Sequence, residues 1–153
     1  MIKRAFDLIA AIVGLVLLAP VMAFIGVLVR RDSEGPVLFR QERIGREGRP
    51  FTLLKFRSMV DSPLPAGPLV TAAADTRVTR VGANLRATKL DELPQLINVI
   101  RGEMSIVGPR PEVAKYVAMW SEEDRQIILS VRPGITDPAT IRLRHEEKIL
   151  AEQ

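Results

Sequence analysis

AFDLIAAIVGLVLLAPVMAFIGVLV, residues 5–29, is the stretch on which the architecture turns, since only Asp7, Gly14, Pro20 and Gly26 fall outside the apolar set. At ~1.5 Å per residue a helix of this length could cross a hydrocarbon core of roughly 30 Å. A signal peptide is disfavoured, because no small-residue cleavage site precedes a separate mature start and Asp7 interrupts the leading side. Lys3 and Arg4 precede the segment and Arg30 and Arg31 follow it. Basic residues mark the cytoplasmic side of a membrane, and here both ends carry them. Pro20 removes one helical N–H and crowds the carbonyl of Val16, and the helix of about 15 residues before it reaches only ~22 Å. Two readings stay open on these facts: a spanning helix, and one that enters, bends at Ala19-Pro20 and returns to the same face. Asp7 is either a first-turn acid favoured by the helix dipole or the partner of Lys3 or Arg4 at headgroup level, three or four residues away on one face.

Beyond this segment, Pro36 to Arg43 and Phe51 to Arg57 read as strands joined by Gly45-Arg46-Glu47-Gly48, a hairpin signal. Six basic and two acidic residues lie between Phe39 and Arg57, which suits a solvated hairpin near anionic lipid, a phosphate-reading surface, or both. Asp61 to Ala74 reads as a loop. Thr76 to Thr88 is basic, with a short helix expected after Gly82. Leu93, Leu96, Ile97 and Ile100 follow an amphipathic helical period that ends near Gly102. Ser105 to Pro111 reads as a loop, Glu112 to Trp120 as a helix, and Ser121 as the cap of another running through Leu129 to a stop at Pro133-Gly134.

Two short motifs could carry chemistry. Asp91-Glu92-Leu93-Pro94 opens the amphipathic helix, and proline is tolerated in a first turn. Acids at such a position are ordinarily caps. The same helix end also favours phosphate, Arg86 lies close upstream, and a carboxylate held beside donors can attack phosphorus. In Gly108-Pro109-Arg110-Pro111 two prolines fix the backbone around one arginine, which suits a rigid turn or a preorganised phosphate or base contact. His145, between Arg144 and Glu146, reads as an exposed tail residue rather than a general base. Tyr116 and Trp120 fit either a membrane interface or core packing.

The 153 residues suit one domain with an appendage. The absence of cysteine excludes disulfides and thiolate metal sites. A net charge of +4 implies an anionic partner. Nucleic acid is a weak choice, because the basic residues lack interleaved stacking aromatics.

Taken in order, the motifs resemble the bacterial sugar transferase family, the monotopic phosphoglycosyl transferases. They are Lys3-Arg4 with Asp7, Phe39-Arg40-Gln41-Glu42-Arg43, Lys55-Phe56-Arg57-Ser58-Met59, Asp91-Glu92-Leu93-Pro94-Gln95-Leu96, Met104-Ser105-Ile106-Val107-Gly108-Pro109-Arg110-Pro111 and Pro133-Gly134-Ile135-Thr136. The resemblance implies transfer of a sugar-1-phosphate from a UDP-sugar to polyprenyl (undecaprenyl) phosphate at the cytoplasmic face of the bacterial inner membrane, releasing UMP and starting glycan assembly. By the same resemblance Asp91 would be the nucleophile, forming an aspartyl-phosphosugar. Glu92 would help Asp91 hold Mg²⁺ or would manage a proton. Arg86, Pro109, Arg110 and Pro111 would bind phosphates and nucleotide, and Lys3, Arg4 and Asp7 would form the basic-acidic motif at the membrane.

The fold expected is α/β, mainly helical with a small β-hairpin: residues 1–31 as a re-entrant membrane helix and 32–153 as a cytoplasmic catalytic domain. Membrane lipids are expected partners, and self-association stays open. The chain departs from the family pattern at Ala19-Pro20, where many relatives have Ser-Pro. Relatives also commonly continue past the position of Gln153, with a portion that would bear on sugar specificity, stability or assembly. The alternative from another class is a non-catalytic membrane-bound module that binds nucleotide-sugars or anionic lipid.

Overall fold

The computed structural model describes residues 2–60 and 76–137. Helix α1 (Ile2–Asp32) is 31 residues long and contains Pro20. The proline does not divide it into two elements. A bend at proline redirects a helix without ending it, so this geometry is compatible with re-entry.

The faces of α1 are inverted relative to a water-soluble helix. Ala11, Ile25 and Val29 are buried against the rest of the chain, with Leu15, Leu18 and Met22 partly covered. The opposite side presents larger apolar groups, among them Phe6 at 62%, Leu17 at 69% and Phe24 at 64% exposure. An apolar surface this continuous marks contact with lipid or protein. Among the described residues α1 is the one helix long and apolar enough to cross a membrane.

Strands β1 (Leu38–Ile44) and β2 (Pro50–Phe56) form the expected antiparallel hairpin, with Leu38 opposite Phe56 and Ile44 opposite Pro50. A 3₁₀ turn at Arg46–Gly48 closes it. Helix α2 (Arg80–Thr88) begins before Gly82 rather than after it, because Thr79 caps the N-terminus by accepting from Gly82 N. Gly82 is required there for packing: a Cβ would lie 2.0 Å from the Ser58 carbonyl oxygen.

A 3₁₀ turn (Leu90–Glu92) leads into α3 (Gln95–Arg101), which stops at Gly102 in the left-handed region with φ of 87°. Its sequence pattern names the buried face only in part. Gln95 and Asn98 are buried, while Ile97 and Ile100 are half-covered. The Asn98 carboxamide accepts from Leu54 N at 3.1 Å and donates to Thr52 O at 2.7 Å, so one side chain completes the outer edge of β2 as a neighbouring strand would.

Two expectations are corrected. Ser105 to Pro111 is not wholly loop: β3 (Ser105–Val107) pairs in parallel with β4 (Gly134–Thr136). Three residues carry too little alternation to show as a strand. The helix expected over Glu112 to Trp120 is only α4 (Ala114–Val117), since Ile44 N bonds Glu112 O at 2.9 Å and holds that residue extended. Helix α5 (Glu122–Ile128) is as expected, with Ser121 as its N-cap and Leu129 as its C-cap. Asp61 to Ala74 and His145 lie outside the described residues.

Helix α1 serves as a spine. Its N-terminal half packs with Phe51, Leu53, Leu96, Val99 and Met104, and its C-terminal half with Phe56 and Leu85. Polar ties hold both ends. Asp7 receives Lys3 Nζ at 3.0 Å, Ser105 Oγ at 2.8 Å and Ile106 N at 3.2 Å. At the other end Arg57 donates to Ser33 O at 2.6 Å, and Asp32 accepts from Val81 N at 2.9 Å.

Candidate active site

The connection between α2 and α3 places two carboxylates together. Lys89 ends α2 in the left-handed region, with φ of 59°, a conformation uncommon for a residue with a Cβ and frequent where function demands a sharp reversal. The reversal carries Asp91 and Glu92 inward to 6% and 8% exposure just ahead of α3. Pro94 occupies the N-cap position of α3, where no intrahelical N–H is needed.

The two acids are treated differently. Glu92 Oε1 lies 2.7 Å from Lys55 Nζ and 3.5 Å from Arg110 Nη2. Burial pushes its pKa up, but the charge and hydrogen bond of Lys55, with Arg110 and Lys89, outweigh burial and hold it below the usual range. For Asp91 burial wins: its pKa is raised despite the opposing charges of Lys55, Lys89 and Arg86, and Glu92 adds to the rise. Asp91 Oδ1 is buried without a hydrogen-bond partner. A buried, unpaired carboxylate oxygen is costly in a resting protein.

The cleft at this point is lined by Arg43, Leu53, Lys55, Glu92, Gln95, Arg110, Pro111, Gly134 and Ile135. On the far side of Arg110 an open groove runs along Pro109, Glu112, Tyr116, Trp120, Ile128 and Asp137. Tyr116 and Trp120 therefore line a groove beside the carboxylates, each half-buried.

The site residues named from the sequence thus fall into two groups. Glu92, Arg110 and Pro111 line one cleft ahead of α3 and Pro109 lines the adjoining groove, while Asp91 is buried next to Glu92 and lines neither; Arg86 is near enough to act electrostatically on Asp91. Lys3, Arg4 and Asp7 do not join them. Arg4 donates to Val99 O at 2.8 Å and Ile100 O at 3.3 Å, at the opposite end of α3, where a cation suits the helix dipole.

Lys55, Arg43 and Gln95 line the cleft; the sequence counted the first two only among the basic residues of the hairpin and gave Gln95 no individual role. Strand alternation holds the missing signal: Gln41, Arg43, Leu53 and Lys55 lie on one face of the hairpin, because Gln41 is opposite Leu53 and side chains alternate along each strand.

Oxygen donors suit a hard divalent cation. No group of three or more His, Asp or Glu side chains fit to hold a metal is found among the described residues, so Asp91 and Glu92 would hold one only with oxygens of substrate and water. Mg²⁺ is commonly bound in that way, by one or two carboxylates with phosphate.

The chain matches the family model described as bacterial sugar transferase over residues 1–153. It is 48% identical over 147 residues to an exopolysaccharide production protein of Rhizobium leguminosarum bv. phaseoli, covering 92% of this chain and 74% of that one. It is 46% identical over 149 residues to the UDP-glucose:undecaprenyl-phosphate glucose-1-phosphate transferase of Escherichia coli (strain K12), covering 92% and 31%. Against the UDP-N-acetylgalactosamine-undecaprenyl-phosphate N-acetylgalactosaminephosphotransferase of Aeromonas hydrophila the figures are 41% over 142 residues, with 92% and 34% covered. The chain therefore spans about a third of the length of the last two relatives. With the family model matched over residues 1–153, the chain belongs to the bacterial sugar transferase family.

Proposed function

We propose that this protein is a phosphoglycosyl transferase that moves a sugar-1-phosphate from a UDP-sugar to undecaprenyl phosphate. The observation that carries the reading is the buried, unpartnered oxygen of Asp91 beside a Glu92 already neutralised by Lys55 and Arg110. In the first step an Asp91 carboxylate oxygen attacks the β-phosphorus of the donor. A new O–P bond forms, the bond to the bridging oxygen breaks, and UMP leaves with that oxygen and its electron pair. In the second step an oxygen of the lipid phosphate attacks the same phosphorus, and the electrons of the acyl-phosphate bond return to Asp91. The two-step route lets two bulky anions react in turn.

Asp91 and Glu92 would hold Mg²⁺, which when bound would offset phosphate charge. Arg86, Lys55 and Arg110 supply fixed positive charge around the transferred group. Glu92 keeps Lys55 and Arg110 aimed into the cleft before substrate arrives.

The proposal places α1 in the cytoplasmic leaflet of the bacterial inner membrane as a re-entrant element, with residues 32–153 on the cytoplasmic side. Its exposed apolar side supports insertion. The polar ties at both ends, Asp7 to β3 and Asp32 with Arg57 to the segment around α2, support return to the same face, since both ends are bound to one polar domain.

The test is UMP release from a panel of UDP-sugars with Mg²⁺ and polyprenyl phosphate, comparing the native chain with Asp91→Asn. Turnover that vanishes in the variant supports the transferase and identifies the donor. A folded, lipid-supported chain that binds donor and never releases UMP is instead a binding module.

A further inference from the structure

The segment Pro109-Arg110-Pro111 is held at two points. The Pro109 carbonyl accepts from Gly134 N at 2.9 Å. The Pro111 carbonyl accepts from Arg43 Nη1 at 3.0 Å. Between these anchors Arg110 reaches to 3.5 Å from Glu92, with 45% of its side chain exposed. Proline fixes φ on either side of Arg110, so the freedom left to the segment is a pivot about the Gly134 anchor, and Arg43 removes it.

The guanidinium of Arg43 is otherwise engaged. Nε and Nη2 both donate to Gln41 Oε1, at 3.0 and 2.7 Å, and Nη1 donates to Pro111 O and to Glu112 Oε2, at 3.0 and 3.3 Å. These bonds occupy four of the five N–H groups of an arginine. Its side chain is only 19% exposed. The neighbouring backbone bond from Ile44 N to Glu112 O, at 2.9 Å, reinforces the same junction.

We propose that Arg43 is a positioning residue: braced by Gln41, it sets the Pro109-Arg110-Pro111 segment so that Arg110 faces Glu92, and it does not itself bind donor phosphate. The proposal rests on the transferase reading for its kinetic consequence and on geometry alone for the brace. Lysine could not replace it, because one ammonium cannot reach Gln41 and the Pro111 carbonyl in the arginine's forked geometry.

The experiment uses the full chain in lipid nanodiscs, with Arg43→Ala, Arg43→Lys, Arg110→Ala and the double Ala variant. UMP release and hydrogen exchange over residues 108–113 are both measured. Arg43→Ala is expected to lower kcat/KM roughly 10- to 100-fold by misplacing Arg110. It should raise exchange over 108–113 and leave exchange over α3 unchanged. Added to Arg110→Ala it should cost less than about twofold more, as expected for residues acting through one another. Arg43→Lys should recover little.

A full loss in the Arg110→Ala background, or substantial recovery with lysine, would mean that Arg43 serves the substrate by its charge, and the proposal fails. Unchanged exchange over 108–113 also overturns it. If the native chain releases no UMP from any donor, the transferase reading falls separately, and the exchange measurement still decides the brace.

Discussion

Asp91 and Glu92 are adjacent in the chain, yet their surroundings drive them in opposite directions. The raised pKa of Asp91 means the native chain holds that proton more tightly than the unfolded chain. Its contribution to stability is therefore full below the ordinary value of 3.8 and is lost as pH rises through the raised one. Above that raised value the charged form, with Oδ1 unpartnered, is a liability that the proposed chemistry would explain. Asp91→Asn is accordingly expected to abolish turnover while raising stability by about 0.5–2 kcal/mol, read from denaturant midpoints in micelles. A variant that is inactive and also clearly less stable would contradict this account. Glu92 has the reverse linkage: its depressed pKa gives stability that is present above 4.5 and is lost as pH falls through the lower native value. Glu92→Gln leaves Lys55 half-stranded and should cost about 1.5–3 kcal/mol near neutral pH, with the difference from the native chain shrinking on acidification. A cost independent of pH would show that the Lys55 pair is not its source.

At the scale of elements, the candidate site depends on how α3 is docked. Helix α3 has seven residues, too few to be stable alone, so packing and side-chain bonds must hold it. Leu96 and Val99 pack against α1 and the hairpin, while Asn98 ties the helix to the edge of β2. Arg4 and Gly102 finish its C-terminal end. Replacing Asn98 by Ala strands the Leu54 N–H and loosens α3 from the hairpin that carries Lys55. The expected cost is about 2–4 kcal/mol, accompanied by faster hydrogen exchange in β2. Stability within error of the native chain would show that water substitutes for the carboxamide.

For the molecule as a whole, the proposed transfer makes the placement of α1 decide how donor and lipid acceptor would meet. If α1 is re-entrant, single cysteines introduced at Ile2 and at Glu34 should both react with a membrane-impermeant thiol reagent from the cytoplasmic side of oriented vesicles. Labelling of the two from opposite sides would establish a spanning helix. The apolar segment, the hairpin, the capped α5 and the Asp91-Glu92 motif ahead of α3 were legible from the sequence, because local periodicity, caps and turn residues encode them over adjacent positions. The parallel pairing of Ser105–Val107 with Gly134–Thr136 was not, since it joins three-residue strands far apart in the chain. Nor could spacing show that Asp7 would meet Ser105, that Asn98 would complete β2, or that Lys55 and Arg43 would converge on Glu92 and Pro111. By itself the sequence determined the long apolar helix, the hairpin, the capped α5 and the adjacent acids Asp91 and Glu92 ahead of α3. Only the tertiary structure decided which of those acids is paired and which is left bare, because pairing depends on side chains brought together from separate elements.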